Sequence, residues 1–480
     1  MKVLYVASEC APFVKTGGLA DVVGAVPKAL AELGVEVKIV LPAYPALREL
    51  ANHGHVVAGS DDLFGGPAQL ISVQAEGLDL LLLAAAHLYD RPGSIYLDEN
   101  GQDWHDNHLR YGALCKMAAQ VAIDGMEDWK PSIVHIHDWQ AGMVPLLIKL
   151  AERHDAPRCV TTIHNIAFQG LFDWTTRDLF NIPDHLFTHE GAEYYGKLGF
   201  LKSALAFTDK ITTVSPTYAR ELLTHEFGMG LEGLLQQRQG DLVGILNGID
   251  TDIWNPQTDP ALPAPYSARN RVNKPKSRDA LETRFALEAD PASPLFCVIS
   301  RLTEQKGLDL LLDALPHLVE SGGRLALLGS GSAELEHGFR QAAEQFPGRI
   351  GVEIGYDEQL SHLMQGGSDA ILVPSRFEPC GLTQLYGLRY GTLPVVAETG
   401  GLADTVIDAS DENLKAKTAT GIQMQPGSLD ALKEAIERAC ALFARPKVWK
   451  TMVGTAMRTP VGWQQSAPRY MELYQSLLAK

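Results

Sequence analysis

The sequence has little cysteine and no pairing pattern for what it has. Its six cysteines, Cys10, Cys115, Cys159, Cys297, Cys380 and Cys440, are scattered with no short pair, which fits neither a disulfide framework nor a zinc ligand set. Reduced thiols in a cytoplasm are the expectation. Long apolar runs are missing too: near the N-terminus the longest uncharged one is Leu80–Ala86, far below the roughly 20 residues that span a bilayer. Val3–Ala7 is cut short by Ser8 and Glu9 and preceded by a lone Lys2, so it reads as a first strand and not as a signal peptide. Positive charge is scarce, with 41 Lys and Arg against 58 Asp and Glu and a net charge of −17. That balance argues against a nucleic-acid or anionic-membrane surface, which draws on excess Lys and Arg. An anionic ligand then needs a local basic cluster.

What is present is length and alternation. At 480 residues and 46% hydrophobic, the chain exceeds the usual size of one domain. Short β-branched apolar runs at Val3–Ala7, Glu36–Leu41, Ile133–His137, Arg158–Ile163 and Lys210–Val214 alternate with helical spacing in Asp21–Leu33, Asp106–Ala122 and Ala141–Ala151. This is the pattern of parallel sheets with crossover helices. Asn255–Lys276, with five prolines, breaks it as a domain connection does. Strands then resume at Leu295–Ile299, Arg324–Leu328, Ile350–Ile354, Ala370–Val373 and Leu393–Val396. The fold class expected is α/β, two doubly wound Rossmann-like domains with a ligand cleft between them. Chemistry should sit in loops after strands.

Lys15-Thr16-Gly17-Gly18-Leu19-Ala20-Asp21 follows the first strand. Adjacent glycines let backbone approach a ligand, and Lys15 beside them suits a phosphate; a plain tight turn fits as well. The three-glycine dinucleotide fingerprint is absent. His135-Ile136-His137-Asp138-Trp139 ends a strand with both histidines on one face. Asp138 and Trp139 fit either a sugar contact with an aromatic neighbour, or a helix cap and a core ring. His164-Asn165 stands where another strand gives way to a loop, and Asn247-Gly248 reads as a turn near the domain junction. In the second half, Arg301 and Lys306 supply the local basic cluster, able to clamp a diphosphate by bidentate hydrogen bonds and a point charge. Gly329-Ser330-Gly331 departs from a dinucleotide loop at Glu334. Pro374–Gln384 carries Glu378 and Cys380 into a helix start, where backbone N–H groups suit phosphate oxygens and Glu378 a sugar hydroxyl. With no adjacent histidine, Cys380 reads as packing. Thr399-Gly400-Gly401-Leu402-Ala403-Asp404 echoes the first glycine loop.

Taken together, Lys15–Asp21, His135–Trp139, Arg301 with Lys306, and Glu378–Gln384 resemble the bacterial glycogen synthases and their starch synthase relatives, over nearly the whole chain. The resemblance implies a GT-B fold: an N-terminal domain over residues 1–245, a nucleotide-sugar domain over 246–457, and a segment over 458–480 that crosses back to the first domain. It implies transfer of glucose from ADP-glucose to the non-reducing-end 4-hydroxyl of an α-1,4-glucan, with retention. Lys15, His164, Arg301, Lys306 and Glu378 would be catalytic. Gly18, Asp21, Asn247, Tyr356, Leu382 and Thr383 would bind the donor, and Asp138, Trp139 and Tyr96 the acceptor. Gln140 stands where some relatives carry histidine. No second carboxylate is placed to act as nucleophile, so same-face attack through an oxocarbenium-like state is the expected route. With three basic residues on the phosphates, no metal or other cofactor is expected. A phosphorylase or epimerase of similar architecture, and a non-catalytic glucan-binding module, are the rival readings.

Overall fold

The structure, a computed structural model, describes residues 1–479. The chain divides into two compact units. The first gathers Met1–Val214, Ala219–Leu246 and the chain from Trp463 onward; the second gathers Ser215–Tyr218 and Asn247–Gly462.

In the first unit the strands are β1 (Lys2–Val6), β2 (Glu36–Pro42), β3 (His55–Ser60), β4 (Ala68–Ala75), β5 (Leu78–Ala84), β6 (Ile133–His137), β7 (Arg158–Ile163), β8 (Leu171–Asp173), β9 (Glu193–Tyr194), β10 (Lys197–Gly199), β11 (Lys210–Thr213) and β12 (Leu242–Gly244). Nine of them form one sheet in the order β12-β11-β7-β6-β1-β2-β5-β4-β3. Neighbours from β12 to β5 run parallel, and β4 and β3 add an antiparallel edge. Val3, Leu4, Tyr5 and Val6 are wholly buried, as expected of a parallel strand covered on both faces. The order reverses between β1 and β6, so the loops after these strands diverge and leave room for a ligand.

The sequence reading misses β3 and β4, whose residues are mostly exposed or half-buried, and registers the buried β5 only as the apolar run Leu80–Ala86. It also misses the small antiparallel sheet β8-β10-β9, whose strands of two or three residues are too short to show periodicity. The first helix runs Gly18–Ala31 with Gly17 just before it, so the glycine pair opens this helix, as expected. The last helix, Ala467–Leu478, completes this unit's core: Tyr474 is fully buried, with its hydroxyl 2.9 Å from that of Tyr5 and 2.6 Å from His135 Nδ1.

The second unit holds β13 (Leu295–Ile299), β14 (Arg324–Gly329), β15 (Ile350–Ile354), β16 (Ala370–Val373), β17 (Leu393–Ala397) and β18 (Ile422–Met424). All are parallel in the order β15-β14-β13-β16-β17-β18, which reverses between β13 and β16. Along β13, Phe296 and Val298 enter one core while Leu295 and Cys297 enter another, so alternate residues serve the two helical layers. Ser332, Asp357 and Ser428 each accept an amide at the start of the following helix, which ends these connections sharply.

The echoing glycines are used differently in the two units. A Cβ on Gly17 would meet nothing within 4 Å, whereas one on Gly401 would lie 2.2 Å from the Cys380 carbonyl oxygen. Gly401 donates its N–H to the carbonyls of Glu378 and Pro379 at 3.2 and 3.1 Å. Gly331 is equally constrained, since a Cβ there would sit 2.0 Å from Leu302 O. The dinucleotide-like loop is thus a close backbone crossing.

Candidate active site

At the reversal point of the first unit, the loop after β1 is organised by Glu9, which the sequence reading uses only to end a strand. Glu9 is buried, and its carboxylate accepts from Thr16 N at 2.5 Å, Thr16 Oγ1 at 2.7 Å, Gly17 N at 3.2 Å and Tyr96 Oη at 2.5 Å. Four donors on one buried carboxylate hold the backbone of the glycine loop open. Lys15, beside it, pairs with Asp21 at 2.8 Å and stays about one-third exposed at 38%. Tyr96, expected at the acceptor, also lies within 2.8 Å of Ser8 Oγ, so its hydroxyl is held in place by the β1 loop.

After β6, Asp138 has a left-handed φ of 56°, a costly conformation for a non-glycine residue. Its side chain caps no helix. Instead Oδ1 accepts the N–H of His164 at 2.7 Å and lies 3.5 Å from that of Asn165, tying the β6 loop to the β7 loop. Burial pushes the Asp138 carboxyl up from 3.8 to about 7, against the opposing pull of those amides. His164 Nε2 lies 3.0 Å from His137 Nδ1. Burial pushes the His164 imidazole down to about 3, so at neutral pH it is a neutral dipole and not a cation.

One expectation changes here. Trp139 is not presented to an acceptor: it is buried and packs against Tyr111, Phe172 and Phe200. A Cβ on Gly170 would fall 2.3 Å from its ring. A bulky ring beside a buried strand gains more from this aromatic cluster than from solvent. The His135–His137 pair is stacked at 4.5 Å, yet both His135 nitrogens are engaged, by Tyr474 Oη and by Thr162 Oγ1, each at 2.6 Å. His135 is a core residue.

In the second unit, the loops after β13 and β16 meet. Lys306 Nζ reaches Glu378 Oε2 at 2.5 Å, and Ser375 Oγ donates to the same oxygen at 3.1 Å. Glu378 is 7% exposed, so this ion pair is largely shielded from water and its geometry is well held. Gly307, with φ 68°, follows Lys306 where a Cβ would lie 2.0 Å from Pro374 O, which is why the two loops can approach. Arg376, also missed, forks onto Asp309 at 2.7 and 2.6 Å and braces the β16 loop. Leu382 precedes the helix Thr383–Tyr390, whose start has no side-chain cap. Arg301 is exposed and Tyr356 is 76% exposed after Gly355, φ 143°. Asn247 is buried with no partner for Oδ1. Cys380 is buried and its thiol is pushed up to about 12 by burial, which fits a packing role.

Two Rossmann-like units, each with charged side chains at its reversal point, define a glycosyltransferase of the GT-B class. The starch synthase catalytic domain family matches residues 2–237, and group 1 of the glycosyl transferases matches 279–450. The glycogen synthase of Roseobacter denitrificans is 62% identical over 480 residues, covering all of both chains, and that of Paracoccus denitrificans 52% identical over 479. The catalytic domain of starch synthase IV from Arabidopsis thaliana, solved with ADP and acarbose, superposes with a TM-score of 0.88 at 31% identity, covering 100% of this chain and 99% of that one. Sucrose-phosphate synthase from Thermosynechococcus elongatus, at 17% identity and TM-score 0.62, shares the fold. The chain belongs to the bacterial glycogen synthases: it is a glycosyltransferase that performs glucosyl transfer in glycogen synthesis. No helix among the described residues is long and apolar enough to cross a membrane.

Glu9→Gln should speed amide hydrogen exchange at Thr16 and Gly17 by about tenfold, because a neutral amide is a weaker acceptor than a carboxylate; unchanged protection would contradict the role given to Glu9. For Asp138 the sign follows from the raised value. Between about pH 4 and pH 7 the folded state retains a proton that the unfolded chain has released, so stability falls as pH rises, by up to about 1.4 kcal/mol per unit. Buried His135, His137 and His164, held low, contribute the opposite slope, so the check is a difference: in urea unfolding at pH 5 and pH 8, the stability of the unmodified chain should fall relative to that of Asp138→Asn as pH rises.

Proposed function

We propose that the chain moves glucose from ADP-glucose to the 4-hydroxyl at the non-reducing end of an α-1,4-glucan, retaining the anomeric configuration. The observation that carries this reading is the Lys306–Glu378 pair, its carboxylate buried, at the reversal point of the second unit, beside an uncapped helix start. The ADP held by the Arabidopsis starch synthase supports the choice of donor.

In this reading Lys15, Arg301 and Lys306 take the donor's phosphates, with backbone donors at Gly18, Leu382 and Thr383. Glu378, already oriented by Lys306 and Ser375, accepts glucose hydroxyls. Tyr356, whose ring is largely exposed, lies against the adenine, and Asp21 and Asn247 complete the donor contacts. His164, neutral and anchored through Asp138, lines the reacting carbon, while Asp138 and Tyr96 shape the acceptor side. Trp139 supports them from the core.

Transfer breaks the bond from the anomeric carbon to the diphosphate oxygen and forms one to the acceptor's 4-oxygen on the same face. The acceptor's proton passes to the departing diphosphate. The fixed cations stabilise the charge that develops there, and such preorganised groups commonly contribute a factor of about 10² to 10³ each. That charge balance needs no metal ion. Lys306→Gln, which keeps a donor toward Glu378 but removes the charge, should lower kcat/KM by about 10²-fold. In the same glycogen-primed assay, ADP-glucose should exceed UDP-glucose as donor, thorough chelation should leave the rate unchanged, and NMR of the product should show only new α-linkages. Strict dependence on a divalent cation, or β-linked product, would overturn the mechanism.

A further inference from the structure

The β9–β10 hairpin of the first unit turns through Tyr195 and Gly196, with φ 47° and 80°. Positive φ at both positions is the geometry of a two-residue turn that asparagine and glycine fill at least cost. A tyrosine at the first position is strained, and its ring, 81% exposed, gains nothing from the core in return. A costly conformation that presents a bare aromatic ring points to a function for the ring.

The surroundings build a support under it. Tyr194 stands edge-on to Tyr195 at 4.8 Å and donates its hydroxyl to Met229 O at 2.7 Å. Gln169 Nε2 donates to the same carbonyl at 2.9 Å. Gly230 completes the floor, since a Cβ there would meet Tyr194 Oη at 2.5 Å and the Tyr195 ring at 3.4 Å. The support is continuous with the candidate site. The loop that leaves His164 exposes Phe168 at 55%, passes through Gln169, and enters β8, which pairs with β10 of the hairpin.

We propose that the Tyr194–Tyr195 hairpin is a platform for the α-glucan, stacking against the apolar faces of its glucose rings outside the transfer site. The proposal rests on the glucan acceptor of the reading above. Tyrosine offers a rigid amphipathic face at small entropic cost, which suits a neutral pyranose chain. The net charge of −17 disfavours a stacked nucleic-acid strand.

The test uses the full chain. Tyr195→Asn places the turn's preferred residue there, so its melting temperature should equal or exceed that of the unmodified protein, and a folding defect cannot explain lost binding. In native gels containing glycogen, Tyr195→Asn should bind about fivefold more weakly and Tyr195→Phe within twofold of the unmodified chain. The apparent KM for glycogen should rise to match, with the smaller change in kcat. Equal retardation of the Asn variant overturns the proposal. So does a change confined to sedimentation, which would make the hairpin a contact between copies. The gel needs no turnover: an unmodified chain that transfers no glucose would refute the acceptor reading, while retardation still decides whether the hairpin holds glucan.

Discussion

Loops at the ends of parallel strands expose backbone N–H groups that must find acceptors, and in the first unit buried carboxylates meet that need. Glu9 gathers the amides of Thr16 and Gly17, and Asp138 those at His164 and Asn165. Each costs something to bury, as the displaced titration of Asp138 shows. Each in return fixes a loop whose own side chains point elsewhere. Lys15 and His164 owe their positions to acids that are not themselves the obvious chemical groups. The second unit solves the same problem by close approach of backbones, with Gly307, Gly331 and Gly401 allowing carbonyls to come where any side chain would collide.

Much of this was legible in the sequence. Continuous apolar runs in buried strands carry their own signal, so β6, β7, β13 and β16 fall where the residue pattern puts them. Positions of Lys306 and Glu378 in loops after strands follow from the same alternation. Their mutual contact does not, because 72 residues separate them and only sheet order brings β13 beside β16. Glu9 was hidden by its role as a strand breaker. A charged residue directly after a fully buried run is a carboxylate that the fold carries inward, and that is the signal which could have found it.

Other details needed tertiary context. The chemistry of Trp139 is compatible with sugar stacking, and only the positions of Tyr111, Phe172 and Phe200 decide that its ring is enclosed. The two Gly-Gly loops look alike as letters but differ in what surrounds them. Strands as short as β8 to β10 offer too few residues for any period to be read, so the hairpin at Tyr195 has no trace in the hydrophobic pattern.

The membership of the last helix in the first unit has a consequence for how the molecule is made. Tyr474 closes a buried polar cluster with Tyr5 and His135, yet it is synthesised after the entire second unit. On the ribosome, residues 247–462 are therefore complete while the first unit still lacks a wall of its core. The second unit can mature vectorially, in step with translation. The first reaches its final packing only when the helix Ala467–Leu478 emerges, and a nascent chain truncated before Trp463 would leave the β1 and β6 strands open on that side.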